Sequence, residues 1–207
     1  MKLKFVLNII TAFIVFMIIV VVFTGFCIPD QSKILNYKIV QNNNTIGWMK
    51  LEKKDSINAY RIMLNSETKK RFVFLFTIIQ AEQSVFENGV MTHSYEYRKI
   101  NNNIKENKRT TYKGSYYEIK KGISISQVKL SNITYNQLSL YFFEPVNISQ
   151  VYSDNYEQYI KIEKRENQFY AIEFPDGNKN SYYYSNGICS KVKVEQSLFT
   201  IEFILSK

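Results

Sequence analysis

"LNYKIVQNNNTIGWMKLEKK", residues 35–54, decides the fold. Leu35, Tyr37 and Ile39 alternate with Asn36 and Lys38, and a period of two is the mark of a strand, because successive side chains point to opposite faces. The polar run Gln41 to Asn44 is a turn, and alternation resumes beyond it, so residues 35–54 read as a β-hairpin. The same pattern recurs outward along the chain. "INAYRIMLN" (57–65) sets Tyr60, Ile62 and Leu64 against Arg61, Met63 and Asn65. "YEQYIKIEK" (156–164), "QFYAIEF" (168–174), "NSYYYSN" (180–186) and "SLFTIEFIL" (197–205) repeat it. Turn residues at Asn88-Gly89, Asn101 to Asn103, Lys121-Gly122, Asp176-Gly177 and Asn186-Gly187 separate about ten strands. The expected fold is all-β: an antiparallel meander curled into an open or half barrel, with one short helix, preceded by an N-terminal hydrophobic helix.

The start of the chain reads differently. Lys2 and Lys4 precede a run from Phe5 to Phe26 interrupted only by Asn8, Thr11 and Thr24. Residues 1–29 are therefore a signal peptide or a signal anchor, and 30–207 a single β domain of ordinary size. The lysines hold the start of this segment in the cytoplasm, so the domain is expected outside. It is either anchored on the periplasmic side of the inner membrane, or soluble in the periplasm after cleavage behind Cys27. Phe26 is too large to precede a lipid-modified cysteine. The other cysteine, Cys189, lies in a strand-like stretch and reads as a buried, inert thiol, with a bridge to Cys27 as the minor option.

The net charge is +9. Its densest groups, Lys69-Lys70-Arg71 and Lys105 to Arg109, fall at strand ends and turns rather than in one stripe with exposed aromatics. That distribution excludes a nucleic-acid partner and suits a solvated surface, or one that touches anionic lipid. The oligomeric state is left open.

One strand departs from the pattern. In "RFVFLFTIIQ" (71–80), Phe72, Phe74, Phe76 and Ile78 share one face, while Val73, Leu75 and Ile79 occupy the other. Both faces need cover, either from a second layer or from an apolar cavity with a lipid-like ligand. In "SNITYNQLSLYFFEP" (131–145), Ser131 can cap a helix, Thr134, Leu138 and Tyr141 recur at helical spacing, and Pro145 stops it. A helix over 131–142, packed in a curled sheet, supplies that cover. Phe72, Phe74, Phe76, Ile78, Leu138 and Tyr141 are the expected ligand-binding residues. Glu144 and Pro145 are structural, the carboxylate pinning the helix to the sheet through a backbone N–H or an arginine.

Familiar catalytic machinery is missing from the sequence. With one histidine, His93, no His/Cys zinc cluster can be assembled, and no cofactor motif or phosphate-cradling loop is present. A Gly-x-Ser-x-Gly elbow is absent, and adjacency on a strand puts His93 and Ser94 on opposite faces. No catalytic or metal-binding residue is assigned.

Several stretches carry a resemblance. They are Tyr37 with Asn43-Asn44-Thr45-Ile46-Gly47, Phe86-Glu87-Asn88-Gly89-Val90, Leu140-Tyr141-Phe142-Phe143-Glu144-Pro145 followed by Val151-Tyr152-Ser153-Asp154, and Tyr182-Tyr183-Tyr184-Ser185-Asn186-Gly187. In this order they resemble an uncharacterised family of exported bacterial proteins, domain of unknown function 6134 (DUF6134), over residues 36–200. More distantly, strands, a short helix and more strands are similar to the lipoprotein-carrier half-barrels of the bacterial envelope. The resemblance implies export and a half-barrel, and transfers no catalytic residue. The resulting expectation is a non-enzymatic envelope protein that binds or carries an apolar ligand. The alternatives are a structural or protein-interaction module at the membrane surface, and a hydrolase of unfamiliar type with carboxylates converging in a cleft.

Overall fold

The computed structural model describes residues 32–71, 75–165 and 169–206; the expected leader, 1–29, lies outside them. The described chain is one antiparallel meander. Its first run comprises β1 (Ser32–Gln41), β2 (Asn44–Ser56), β3 (Ala59–Arg71), β4 (Leu75–Glu87), β5 (Val90–Ile100), β6 (Asn103–Tyr112), β7 (Tyr117–Lys121) and β8 (Ser124–Val128). A connection with the short helix α1 (Ser139–Phe142) leads to the second run. This comprises β9 (Gln150–Ser153), β10 (Gln158–Arg165), β11 (Phe169–Glu173), β12 (Lys179–Ser185), β13 (Ile188–Gln196) and β14 (Phe199–Leu205). The last strand returns to pair with the first, Tyr37 opposite Leu205 and Val40 opposite Glu202, so both runs form one fourteen-stranded sheet with edges β8 and β9. The sheet curls but does not close.

Local chemistry explains the meander. Leu35, Tyr37 and Ile39 point inward from β1, Met49 and Leu51 from β2, and Ile62 and Leu64 from β3. Asn42 and Asn43 both adopt positive φ, the backbone of a type I′ turn that matches the twist of the strands it joins. Fourteen strands exceed the expected ten or so; β8, exposed along almost its whole length, and β9, four residues long, carry no legible alternation. A bulge in β2 leaves Ile46 unpaired between the Ile39–Gly47 and Val40–Thr45 partners. A Cβ on Gly47 would lie 2.2 Å from the Glu67 carbonyl oxygen and 2.8 Å from the Thr68 Cα. Both are backbone atoms, so the β2–β3 ladder itself must shift. Gly47→Ala is expected to lower the unfolding free energy by about 1–3 kcal/mol, read as a lower urea midpoint.

The connection between β8 and β9 fills the concave side, and here the sequence reading is corrected. The helix covers only 139–142, not 131–142, and its N-cap is Leu138 without a side-chain cap bond. Residues 132–137 are kept out of the helix because the sheet uses their backbone. Met91 N–H donates to the Ile133 carbonyl, Tyr152 N–H to Tyr135, and Gln137 N–H to Tyr152, with a parallel bridge between Asn136 and Tyr152. An i→i−4 ladder cannot form from groups already bonded elsewhere. The segment fills the concave side but does not cover the start of β4, where Phe76 and Ile79 stay exposed. Leu138 and Phe142 pack on the β1–β3 side, Leu140 against Val151, Ile160, Tyr182 and Cys189, and Ile133 against Phe86, Met91, Tyr117 and Tyr152.

Candidate functional site

A buried polar network ties this plug to the sheet. Asn136 is fully buried; its amide donates to Ser84 Oγ at 2.7 Å and Asp154 Oδ2 at 3.3 Å. Its carbonyl oxygen accepts from Ser139 N at 3.2 Å and Ser139 Oγ at 3.0 Å. Ser94 Oγ donates to Asp154 Oδ1. Lys108 is almost fully buried, because its position on the inner face of β6 faces the carboxylates of β5 and the turn before β10. Its ammonium lies 2.9 Å from Glu96 Oε2 and 3.6 Å from Glu157 Oε1, and donates to the Asp154 carbonyl.

The register brings further charge to the same place. Leu64, Glu82, Glu96 and Lys108 are Cα partners on successive strands β3 to β6. Glu82 and Glu96 are thus like charges directly opposite each other, an arrangement that destabilises a sheet unless compensated. Lys108 compensates Glu96, whereas the Glu82 carboxylate accepts a hydrogen bond from the neutral Gln80 amide. Burial, and secondarily the Glu96 charge, pushes Glu82 up to about 8. Burial also raises Asp154, to about 6, against the pull of the Ser94 hydrogen bond. Displaced carboxyls of this kind gather at functional sites.

Glu82, Glu96 and Asp154 line a cleft of about 300 Å³ on the concave side. Glu82, Glu96, Arg98 and Asp154 form its polar wall, and Met49, Leu64, Leu138, Tyr141, Val194 and Phe203 contribute an apolar one. Asn155, Tyr156, Asp176 and Asn178, from turns at one end of the strands, shape the mouth. Among the described residues no group of three or more His, Cys, Asp and Glu side chains is placed to hold a metal ion.

The structure divides the residues expected from sequence. Leu138 and Tyr141 line the cleft. Phe76 and Ile78 lie on the same face of β4 as Gln80 and Glu82, two rungs nearer the strand's start, Ile78 half-buried and Phe76 exposed, and neither lines it. Phe72 and Phe74 lie outside the described residues. Glu144 accepts a hydrogen bond from the Tyr170 hydroxyl at 3.0 Å, so a phenol rather than a backbone N–H or arginine meets this carboxylate beside buried Pro145. His93 is exposed on the convex face and Ser94 is buried. Cys189 is a free, buried thiol pushed up to about 12 by burial. Sequence reasoning missed Glu82, Glu96, Lys108 and Asp154. The available signal was the even-numbered face of β4, which changes from Phe76 and Ile78 to Gln80, Glu82 and Ser84.

An open, antiparallel half-barrel with a plugged interior and a polar–apolar cleft is the class that fold and site define. The chain belongs to the family described as Domain of unknown function (DUF6134), whose sequence model matches residues 37–206. Among solved structures it is similar to the beta-barrel-like protein of domain of unknown function DUF1849 from Brucella abortus. That match has a TM-score of 0.56 and 9% identity, covering 86% of this chain and 96% of that one. At this identity the likeness concerns the fold. No curated protein matches the chain.

Proposed function

We propose that the protein is a non-enzymatic, exported envelope protein whose half-barrel holds an amphiphilic ligand. The carrying observation is the two-sided cleft, with an apolar wall of Met49, Leu64, Tyr141 and Phe203 facing Glu82, Glu96 and Asp154. A ligand with an apolar body and a polar end satisfies both walls, whereas a wholly apolar one would set hydrocarbon against the carboxyl wall. Glu82 is the carboxyl for the ligand's polar end, because Glu96 is engaged by Lys108 and Asp154 by Ser94 and Asn136. Export rests on the apolar run Phe5 to Phe26 behind Lys2 and Lys4.

Native mass spectrometry of the full-length chain, released gently from its own membranes, is expected to show one bound amphiphile per chain. Gln80→Trp, which fills the cleft from β4, removes that adduct while the far-ultraviolet spectrum stays unchanged. A ligand-free wild-type chain recovered from membranes would sink the proposal. A second reading, acid–base catalysis, is favoured by the two displaced carboxyls Glu82 and Asp154. It predicts that the retained amphiphile is chemically converted on incubation, and that Glu82→Gln stops the conversion but not the binding.

A further inference from the structure

The sequence asks for cover on both faces of β4, yet the convex face stays open at Ile79, which is 40% exposed. Following the register sideways from Ile79 gives a row. Ile79 is opposite Glu67 on β3 and Lys99 on β5. Glu67 is opposite Trp48 on β2, and Lys99 is opposite Ile104 on β6. Trp48 continues to Lys38 on β1, which is opposite Ile204 on β14. Seven neighbouring strands thus each contribute one outward residue to a line roughly 30 Å long. Ile204, Trp48, Ile79 and Ile104 are 37%, 49%, 40% and 59% exposed. A solvated convex face calls for polar residues here, and scattered single apolar residues would need no account, but four in one register do.

The residues between them identify the occupant. Lys38 and Lys99 alternate with the apolar side chains, and among the described residues neither has an ion-pair partner. The one acid of the row, Glu67, is already paired with Lys69 at 2.8 Å. Free cations on long stems between isoleucines and a tryptophan match a lipid–water boundary. Lysine carries its charge to headgroups while its stem covers apolar surface, and tryptophan favours the interface. We infer that this row is a docking surface for an anionic lipid bilayer, lying along the convex face of β14 and β1 to β6. The inference does not depend on a ligand in the cleft.

Trp48 is the only tryptophan of the chain, so its emission reads this face without a label. The full-length chain, held in phosphatidylcholine nanodiscs, is titrated with vesicles rich in phosphatidylglycerol. Emission is expected to move to shorter wavelength and to be quenched by bromine-labelled lipid. The shift is lost in about 1 M salt, where the screening length falls to about 3 Å. Lys99→Glu and the pair Ile79→Ser with Ile104→Ser each abolish most of it, with the unfolding midpoint unchanged. Emission that ignores the vesicles, or moves equally with phosphatidylcholine vesicles, overturns the inference. So does a shift that follows protein concentration without lipid, which would make the row a contact between copies of the chain. None of these results bears on whether an amphiphile is bound in the cleft.

Discussion

Replacing Lys108 by methionine is expected to lower the unfolding free energy by about 3–5 kcal/mol, the usual consequence of leaving buried charge without its partner. The ammonium is the cation on which Glu96 at 2.9 Å depends, and it also faces Glu157 at 3.6 Å and the Asp154 carbonyl. Methionine keeps the volume of the stem, so the loss reports the charge rather than a cavity. At about 2–4 °C per kcal/mol for a domain of this size, the melting temperature falls by roughly 10 °C. Glu96→Gln in the same chain removes the stranded carboxylate. The double variant is expected to be more stable than the sum of the two single losses by at least about 1 kcal/mol. Urea unfolding of the four proteins checks this, and simple additivity would show that Lys108 and Glu96 do not act as a pair.

The second large effect is a pH dependence of stability with an unusual sign. The Glu82 carboxyl is pushed from 4.5 up to about 8 on folding, so the folded chain holds a proton that the unfolded chain releases. Its contribution is fully present below about pH 4.5 and is lost as pH rises through about 8. Asp154, raised from 3.8 to about 6, adds a loss in the lower part of that window. Wild-type stability is therefore expected to fall from pH 5 to pH 9, opposite to the trend for salt-bridged carboxylates. Glutamine at position 82 imitates the protonated acid. Glu82→Gln should match wild type near pH 4.5 and exceed it by about 2–4 kcal/mol at pH 9. Denaturant midpoints across this range measure it, and a constant difference at every pH would place the proton elsewhere.

Both predictions concern residues that the sequence did not single out, whereas the strands around them were legible. The hairpin of residues 35–54 could be read because alternation and turn chemistry are local: Leu35, Tyr37 and Ile39 announce their shared face within five residues. The turns at Asn88-Gly89 and Asn186-Gly187 were legible for the same reason, and all four residues do adopt positive φ. Residues 131–138 misled because their helical spacing is real, but their backbone groups are spent on Met91 and Tyr152. The cleft was half legible. Leu138 and Tyr141 stood out as apolar residues on a covering segment, while Glu82 and Glu96 looked like ordinary polar positions on strands.

The amino-acid pattern by itself determined an antiparallel meander, its principal turns, and a plug that must cover a curled sheet. Alternation and turn residues act between neighbours, and burial of one face leaves each strand a single register. Only the tertiary structure decided that Glu82 faces Glu96 across a strand pair, that Asp154 closes over them, and that Lys108 neutralises one of them. It also aligned Ile204, Trp48, Ile79 and Ile104 on the convex face. Those encounters join residues far apart in the chain, through registers and bulges that no local period records.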